Sequence, residues 1–296
     1  MPRFELVAFG APAPEGATCC DGLVEGAALD LSHWPGNATP ARYAADTSTE
    51  IALRFAADPD RELDLVVNNH FDVDGALTVL SLLEPALALA HPDVLVAAAE
   101  TGDFDEWPRT DRGIWLAAAI DGLTRGLGEA AAYLTVIERL PAVLPNLSAR
   151  EDLWGERFQA LQAAVAGVAR GDVAVERVGP IAIVRHPRGA PELDGLVAFR
   201  SLPTGVSRIL WAFERAPGCF DYRYEMPRYA WAHTVTRPTL ERPSKNALVV
   251  ALAGSWSLKG DALGMTGLIR TEAPLAVRPL ALADSLLERE RELGTL

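Results

Sequence analysis

The sequence predicts an α/β protein, with an N-terminal parallel-sheet domain and flanking helices over residues 1–170, followed by an α+β part with a mostly antiparallel sheet over 171–296. Three observations carry this. The apolar run Leu63 to Asn68, LDLVVN, passes through a short polar turn into ALTVLSLLEPALALA, which is apolar over a helical length and so reads as a strand entering a helix. Residues 113–170 are rich in Ala and Leu at helical spacing. From Val173 the pattern changes to short β-rich runs divided by Gly and Pro turns.

In chain order, Phe4 to Phe9 reads as a short strand, and LSHWPGNATPARYAADTSTE as a long ordered loop dense in turn residues. Thr47-Ser48-Thr49-Glu50 has the spacing of a capping box, and IALRFAADP after it repeats apolar residues at helical spacing. Val94 to Ala99, VLVAAA, reads as a strand following the helix after Gly75. A strand-helix-strand unit of this kind implies parallel pairing and a right-handed crossover. Pro141 to Leu147 interrupt the next stretch, which gives two or three packed helices. VAVERV, IAIVRH, LVAFRS, RILWAFE and FDYRYE then read as strands, NALVVALA as a strand or short helix, and LADSLLERERELG as an amphipathic charged helix.

Composition narrows the function classes. With 27 Lys and Arg against 40 Asp and Glu, the net charge of -13 repels a nucleic-acid backbone, so bulk nucleic-acid binding is not expected. The three cysteines, Cys19, Cys20 and Cys219, form neither a disulfide framework nor a Cys-x-x-Cys pattern, which fits a reducing, cytoplasmic compartment. The N-terminus lacks a signal-peptide core and no long uncharged apolar run follows, so no membrane association is expected. Gly-rich phosphate loops and a Gly-x-Ser-x-Gly elbow are absent.

One segment carries sharp chemistry. In Asn69-His70-Phe71-Asp72-Val73-Asp74-Gly75, three ligand-type side chains alternate with apolar ones at a strand end. If the segment is extended, period-two geometry sends His70, Asp72 and Asp74 to one side, at the carboxyl end of a strand where open α/β sheets bind ligands. Two carboxylates and an imidazole suit Mn²⁺, Fe²⁺ or Zn²⁺. The structural alternative is that the aspartates cap the next helix. A calcium EF-hand does not fit, because aligning Gly75 with the loop glycine puts Ser81 where a bidentate Glu belongs.

NNHFDVDGALTVLSLL resembles the first motif of DHH-type phosphoesterases, His-x-Asp-x-Asp-Gly between a strand and a helix. The resemblance implies a metal pair, usually Mn²⁺, held by His70, Asp72 and Asp74 and completed by a later acid, with Asp103 as the match and Asp105 or Glu100 as substitutes. The Asp-His-His triplet and a GGGH-like segment are absent, so a non-catalytic metal- or ligand-binding descendant is the alternative. FDVDGAL is also similar to the first motif of haloacid-dehalogenase-type phosphatases, with Asp72 as nucleophile and Asp74 as general acid, although Ala76 stands where that family has Thr. LSHWPGN and DTSTE resemble a group of uncharacterised bacterial proteins and imply no activity.

Outside the motif, a loop carrying His33 and Trp34 that folds over the strand end would let His33 serve as a general acid, or His33 or Asp46 join the metal shell. Alternation puts Tyr222 and Tyr224 on one strand face and Arg223 on the other, and Arg185 and Arg228 are candidates to steady a phosphate. The expectation is a divalent-metal-dependent phosphoesterase acting on a small phosphorylated molecule or nucleotide.

Overall fold

A computed structural model describes residues 2–250, 252–258 and 264–296, and the chain divides into two compact units. The first runs to Ala160 and takes in Ala232–Pro238; the second comprises Leu161–Trp231 and Thr239–Leu296. The division therefore falls inside a helix ten residues before the expected boundary at 170, and a short segment from far along the chain returns to the first unit.

The first unit holds a parallel sheet of β1 (Arg3–Leu6), β2 (Thr18–Cys20), β3 (Leu29–Leu31) and β4 (Leu65–Asn68), in the order β1-β4-β2-β3. β4 is central and buried throughout, which explains its unbroken apolar run. Side chains of Val7, Cys19, Val24 and Val67 pack together on this sheet. Each fully buried Val or Leu contributes roughly 1.5–3 kcal/mol. Because β2, β3 and β4 are parallel, their carboxyl ends open on the same edge.

Thr47 caps α1 (Ser48–Ala56) by accepting a hydrogen bond from the Glu50 N–H at 3.2 Å, as its spacing predicts. α2 (Val73–Leu83) follows β4 directly and stops before Pro85, which opens α3 (Pro85–Leu89). The stretch VLVAAA is not a strand but lies inside α4 (Pro92–Phe104). Pro92 in the first turn presets a helical φ, and the alanines and the following ETGDF extend the run beyond strand length. The expected strand-helix-strand unit is thus absent, and β4 pairs with β1 and β2 instead. α5 (Arg112–Thr124), α6 (Glu129–Val143), a 3-10 turn over Leu144–Ala149 and α7 (Glu151–Arg170) complete the predicted helical stretch.

The second unit holds β5 (Ala174–Val178), β6 (Ile181–His186), β7 (Arg208–Ala216), β8 (Cys219–Glu225), β9 (Trp256–Ser257) and β10 (Gly267–Thr271), in the order β5-β6-β7-β8-β10-β9. Every pairing is antiparallel except β6 with β7. That parallel step needs a crossover, and LVAFRS supplies a helix there rather than a strand: α8 (Gly195–Arg200), capped by Asp194. Only Asn246 to Val249 of NALVVALA are helical, in the short α9 (Lys245–Val249), and Ala251 lies outside the described residues. Tyr222 and Tyr224 join a core with Leu282 and Leu286 of α10 (Pro279–Leu293), while Arg223 on the other face covers Trp211. Among the described residues no helix is long and apolar enough to cross a membrane.

Candidate metal centre

Three parallel strand ends deliver ligand side chains to one place: Asp21 follows β2, His33 follows β3 and His70 follows β4. Asp21 adopts a left-handed conformation, φ 59°, which Asp tolerates better than most side chains. Its backbone is held by an N–H bond to the Leu31 carbonyl at 3.1 Å and by the Ser32 hydroxyl donating to its own carbonyl. The turn that follows is crowded. A Cβ on Gly22 would stand 2.2 Å from Asn69 Oδ1 and 2.9 Å from His70 Nδ1.

The extended geometry expected for His70, Asp72 and Asp74 stops at Asp72. Asp72 is the N-cap of α2, with Oδ1 accepting from the Gly75 N–H at 2.7 Å, so helix capping explains one aspartate. Its other oxygen lies 3.0 Å from His70 Nε2. Asp74 sits within the first turn of α2, fully buried, and accepts the Ser48 and Thr49 N–H groups at the start of α1, both at 2.8 Å. A helix N-terminus stabilises an anion in this way.

The donors form two adjacent groups that share Asp21: Asp21 with His70 and Asp72, and Asp21 with His33 and Asp74. Within each group the ligand atoms lie within 4.8 Å of one another. His70 Nε2 is 3.0 Å from Asp21 Oδ2, and His33 Nε2 is 3.7 Å from Asp21 Oδ1 and 3.6 Å from Asp74 Oδ2. Two donors each about 2.1 Å from one ion stand ~3–3.5 Å apart, so only small shifts separate this arrangement from coordination. Asp103, in the last turn of α4, extends the second group with its carboxylate 3.2 Å from His33 Nε2.

Both imidazoles turn Nε2 inward and are fixed from behind. His33 Nδ1 donates to the Asp46 carbonyl at 2.8 Å, and His70 Nδ1 lies 3.0 Å from Asn69 Oδ1. Asn69 is itself oriented by its Nδ2 donating to the Leu23 carbonyl. Metal-binding histidines are held in this manner, with the second ring nitrogen donating to a carbonyl. Tyr133 of α6 donates to the His70 carbonyl at 2.8 Å and accepts from Asn68 Nδ2 at 2.7 Å, which ties down the strand end.

Electrostatics point the same way. Burial opposes charge on His33, but its bond to Asp103 and the charges of Asp74, Asp103 and Asp21 outweigh it and raise its pKa to about 10. Burial likewise opposes charge on His70, and the Asp21 and Asp72 carboxylates raise it to about 11. Burial and the Asp21 charge push Asp74 up to about 6, and burial with the charges of Asp72 and Asp74 lifts Asp103. Asp21 goes the other way. Although buried, it is held below the usual range by His70, His33 and Ser48. The pocket calls for positive charge, and the buried Asp21 Oδ2 makes no hydrogen bond of good geometry.

Of the residues singled out in the sequence, His33, His70, Asp72, Asp74 and Asp103 come together in the first unit. Asp105 is the left-handed C-cap of α4, Glu100 pairs with Arg237, and Asp46 supports His33 through its backbone. Arg185 stands on β6 beside Glu176, and Arg228 opens a 3-10 turn, both in the second unit. Asp21 and the amides of Ser48 and Thr49 were not anticipated. Asp21-Gly22 after the short apolar strand Thr18–Cys20 repeats the strand-then-acid arrangement of the main motif, and that was the available signal.

No curated protein matches the chain. A family model described as "Family of unknown function (DUF6687)" matches residues 2–255, most of the sequence, and the chain belongs to that family.

Proposed function

We propose that the first unit is a divalent-metal-dependent hydrolase acting on phosphoesters of a small molecule or nucleotide. The observation that carries the reading is the pair of three-ligand groups sharing Asp21, with both histidines presenting Nε2 inward. The donor set of carboxylates and imidazoles suits Mn²⁺ first and Fe²⁺ or Zn²⁺ after it. Two divalent ions there would acidify water and neutralise charge developing on a phosphate.

The two groups divide the work. The inner one, Asp21, His33 and Asp74 with Asp103 beside it, is enclosed: the side chains of His33 and Asp74 are fully buried. A closed set of this kind suits a structural ion. His33 therefore acts as a ligand rather than as a general acid. The outer group is open, with the His70 and Asp72 side chains 23% and 41% exposed. Three donors and a solvent-facing side fit an ion that meets substrate. Trp34 lies beside it, its ring 5.1 Å from that of His70, and offers an apolar wall to the organic part of a substrate.

The haloacid-dehalogenase alternative is less well served. Asp74, its general acid, is fully buried with both oxygens accepting backbone amides, and is turned away from any substrate at Asp72. A non-catalytic metal-binding role is the second reading, supported by the closed inner group.

The test loads the protein with Mn²⁺, desalts it, and compares metal content and phosphoester hydrolysis in the native chain, His70→Ala and Asp72→Asn. Two ions per native chain, fewer in the variants, and metal-dependent release of phosphate or alcohol are the expected results. Metal without turnover across phosphomonoesters, phosphodiesters and nucleotides would leave the binding role, and no retained metal would remove both.

A further inference from the structure

The segment Ala232–Pro238 belongs to the first unit although it lies far along the chain. Its contacts converge on the inner group. The His233 N–H donates to the His33 carbonyl at 2.7 Å. Val235 N, Thr236 N and the Thr236 hydroxyl all donate to the Asp46 carboxylate, and the backbone carbonyl of Asp46 holds His33 Nδ1. Arg237 completes the arrangement. Its Nη1 is 2.6 Å from Asp46 Oδ2, its Nη2 is 2.7 Å from Glu100 Oε1 and from Glu106 Oε2, and its Nε is 2.9 Å from Glu106 Oε1. The guanidinium also lies 4.5 Å over the ring of Phe104, the residue after Asp103, and Phe104 faces the His33 ring at 5.9 Å.

Arg237 thus joins the segment just before α1, where the Asp46 carbonyl holds the donor His33, to the end of α4, which carries the donor Asp103. The outer group is supported by other residues: Asn69, Tyr133 and the Gly75 amide. We propose that Arg237 is a positioning residue for the inner ion alone, a clamp that sets the distance between His33 and Asp103 while leaving the outer ion to its own supports. This rests on the metal reading above. A planar five-donor fork is needed to engage three carboxylates and an aromatic face at once, which explains an arginine at this position.

The experiment titrates Mn²⁺ into native, Arg237→Met and Thr236→Val chains, counting ions by elemental analysis and following the electron paramagnetic resonance spectrum. The native chain is expected to bind two ions with an exchange-coupled signal. In Arg237→Met one ion stays at native affinity, the second weakens roughly 10- to 100-fold, and the coupled signal gives way to that of a lone ion. Thr236→Val, which removes one bond to Asp46, weakens the same ion by less and decides the matter if Arg237→Met does not fold. Two ions at native affinity in the folded variant, or loss of the outer ion instead, overturns the assignment while the metal reading stands. A native chain that binds no ion overturns the metal reading and this inference together.

Discussion

Asp21 and His70 meet across two neighbouring strand ends, Oδ2 to Nε2 at 3.0 Å, while the other oxygen of Asp21 accepts a hydrogen bond from Ser48 at 2.9 Å and faces His33. One carboxylate therefore serves both donor groups. Asp21→Asn is expected to abolish binding of both ions, because an amide cannot supply two anionic oxygens, whereas Asp72→Asn removes a donor from the outer group only and leaves one ion bound. Metal content after Mn²⁺ loading distinguishes them, and one tightly held ion in Asp21→Asn would show that the carboxylate is not shared.

Gly22 has no room for a Cβ unless the side chains of Asn69, Asn68 and His70 shift. Its N–H donates to Asn68 Oδ1 at 3.1 Å, and a Cβ would fall 2.7 Å from that same oxygen and closer still to Asn69. Gly22→Ala must push Asn69 off His70 Nδ1, so the outer ion should weaken roughly 10-fold or more. Forcing a methyl into this packed turn also costs about 1–3 kcal/mol of stability. Urea unfolding and Mn²⁺ titration check the two effects, and a variant native in both would mean that the strand ends have slack the geometry does not show.

The legible part of the centre was the part local in sequence. His70, Asp72 and Asp74 fall within one short segment, so spacing alone groups them, and Thr47 announces α1 through its cap. Asp21 and His33 come from other strands, and only the order β4-β2-β3 makes them neighbours, which no periodicity encodes. The VLVAAA stretch is ambiguous in sequence because a short apolar run carries no period of its own, and Pro92, two residues before it in the first turn of α4, decides for helix. LVAFRS is ambiguous for the same reason, and the Asp194 cap decides for helix.

Acid should act through Asp46. Burial alone would raise its pKa, but the bonds from Thr236 and Val235 and the Arg237 charge overcome this and hold it below the ordinary carboxylate value. A depressed folded pKa means that the stabilisation is complete above the unfolded value of about 4 and is lost as pH falls through the folded one. Charge-assisted hydrogen bonds of this kind are worth roughly 1.5–3 kcal/mol each. The stability gap between native protein and Asp46→Asn should therefore be constant from pH 5 to 7, to within about the error of urea unfolding, and narrow below about pH 4. A gap that widens in acid would contradict the sign of the shift.

Glu290 and Arg208 give a test confined to the second unit. Both side chains are fully buried, with Arg208 Nη2 2.7 Å from Glu290 Oε2 and Nε 2.9 Å from both carboxylate oxygens. Tyr224 donates to Glu290 Oε1 at 2.5 Å, and Arg208 Nη2 also donates to the carbonyls of Glu241 and Thr295, so the pair locks α10 and the chain end against the sheet. Removing only the acid strands a buried guanidinium, and Glu290→Leu should cost about 3–5 kcal/mol. The double variant Arg208→Met with Glu290→Leu removes the stranded charge and should recover much of that loss, since burying the pair incurs its own desolvation cost. Denaturant unfolding of the native, single and double variants measures the coupling. Because every candidate metal donor comes from the first unit, any Mn²⁺ bound per folded chain should stay at the native level in both. Equal losses in the single and double variants would mean that packing against the β7–α10 contact, rather than charge pairing, sets the stability there.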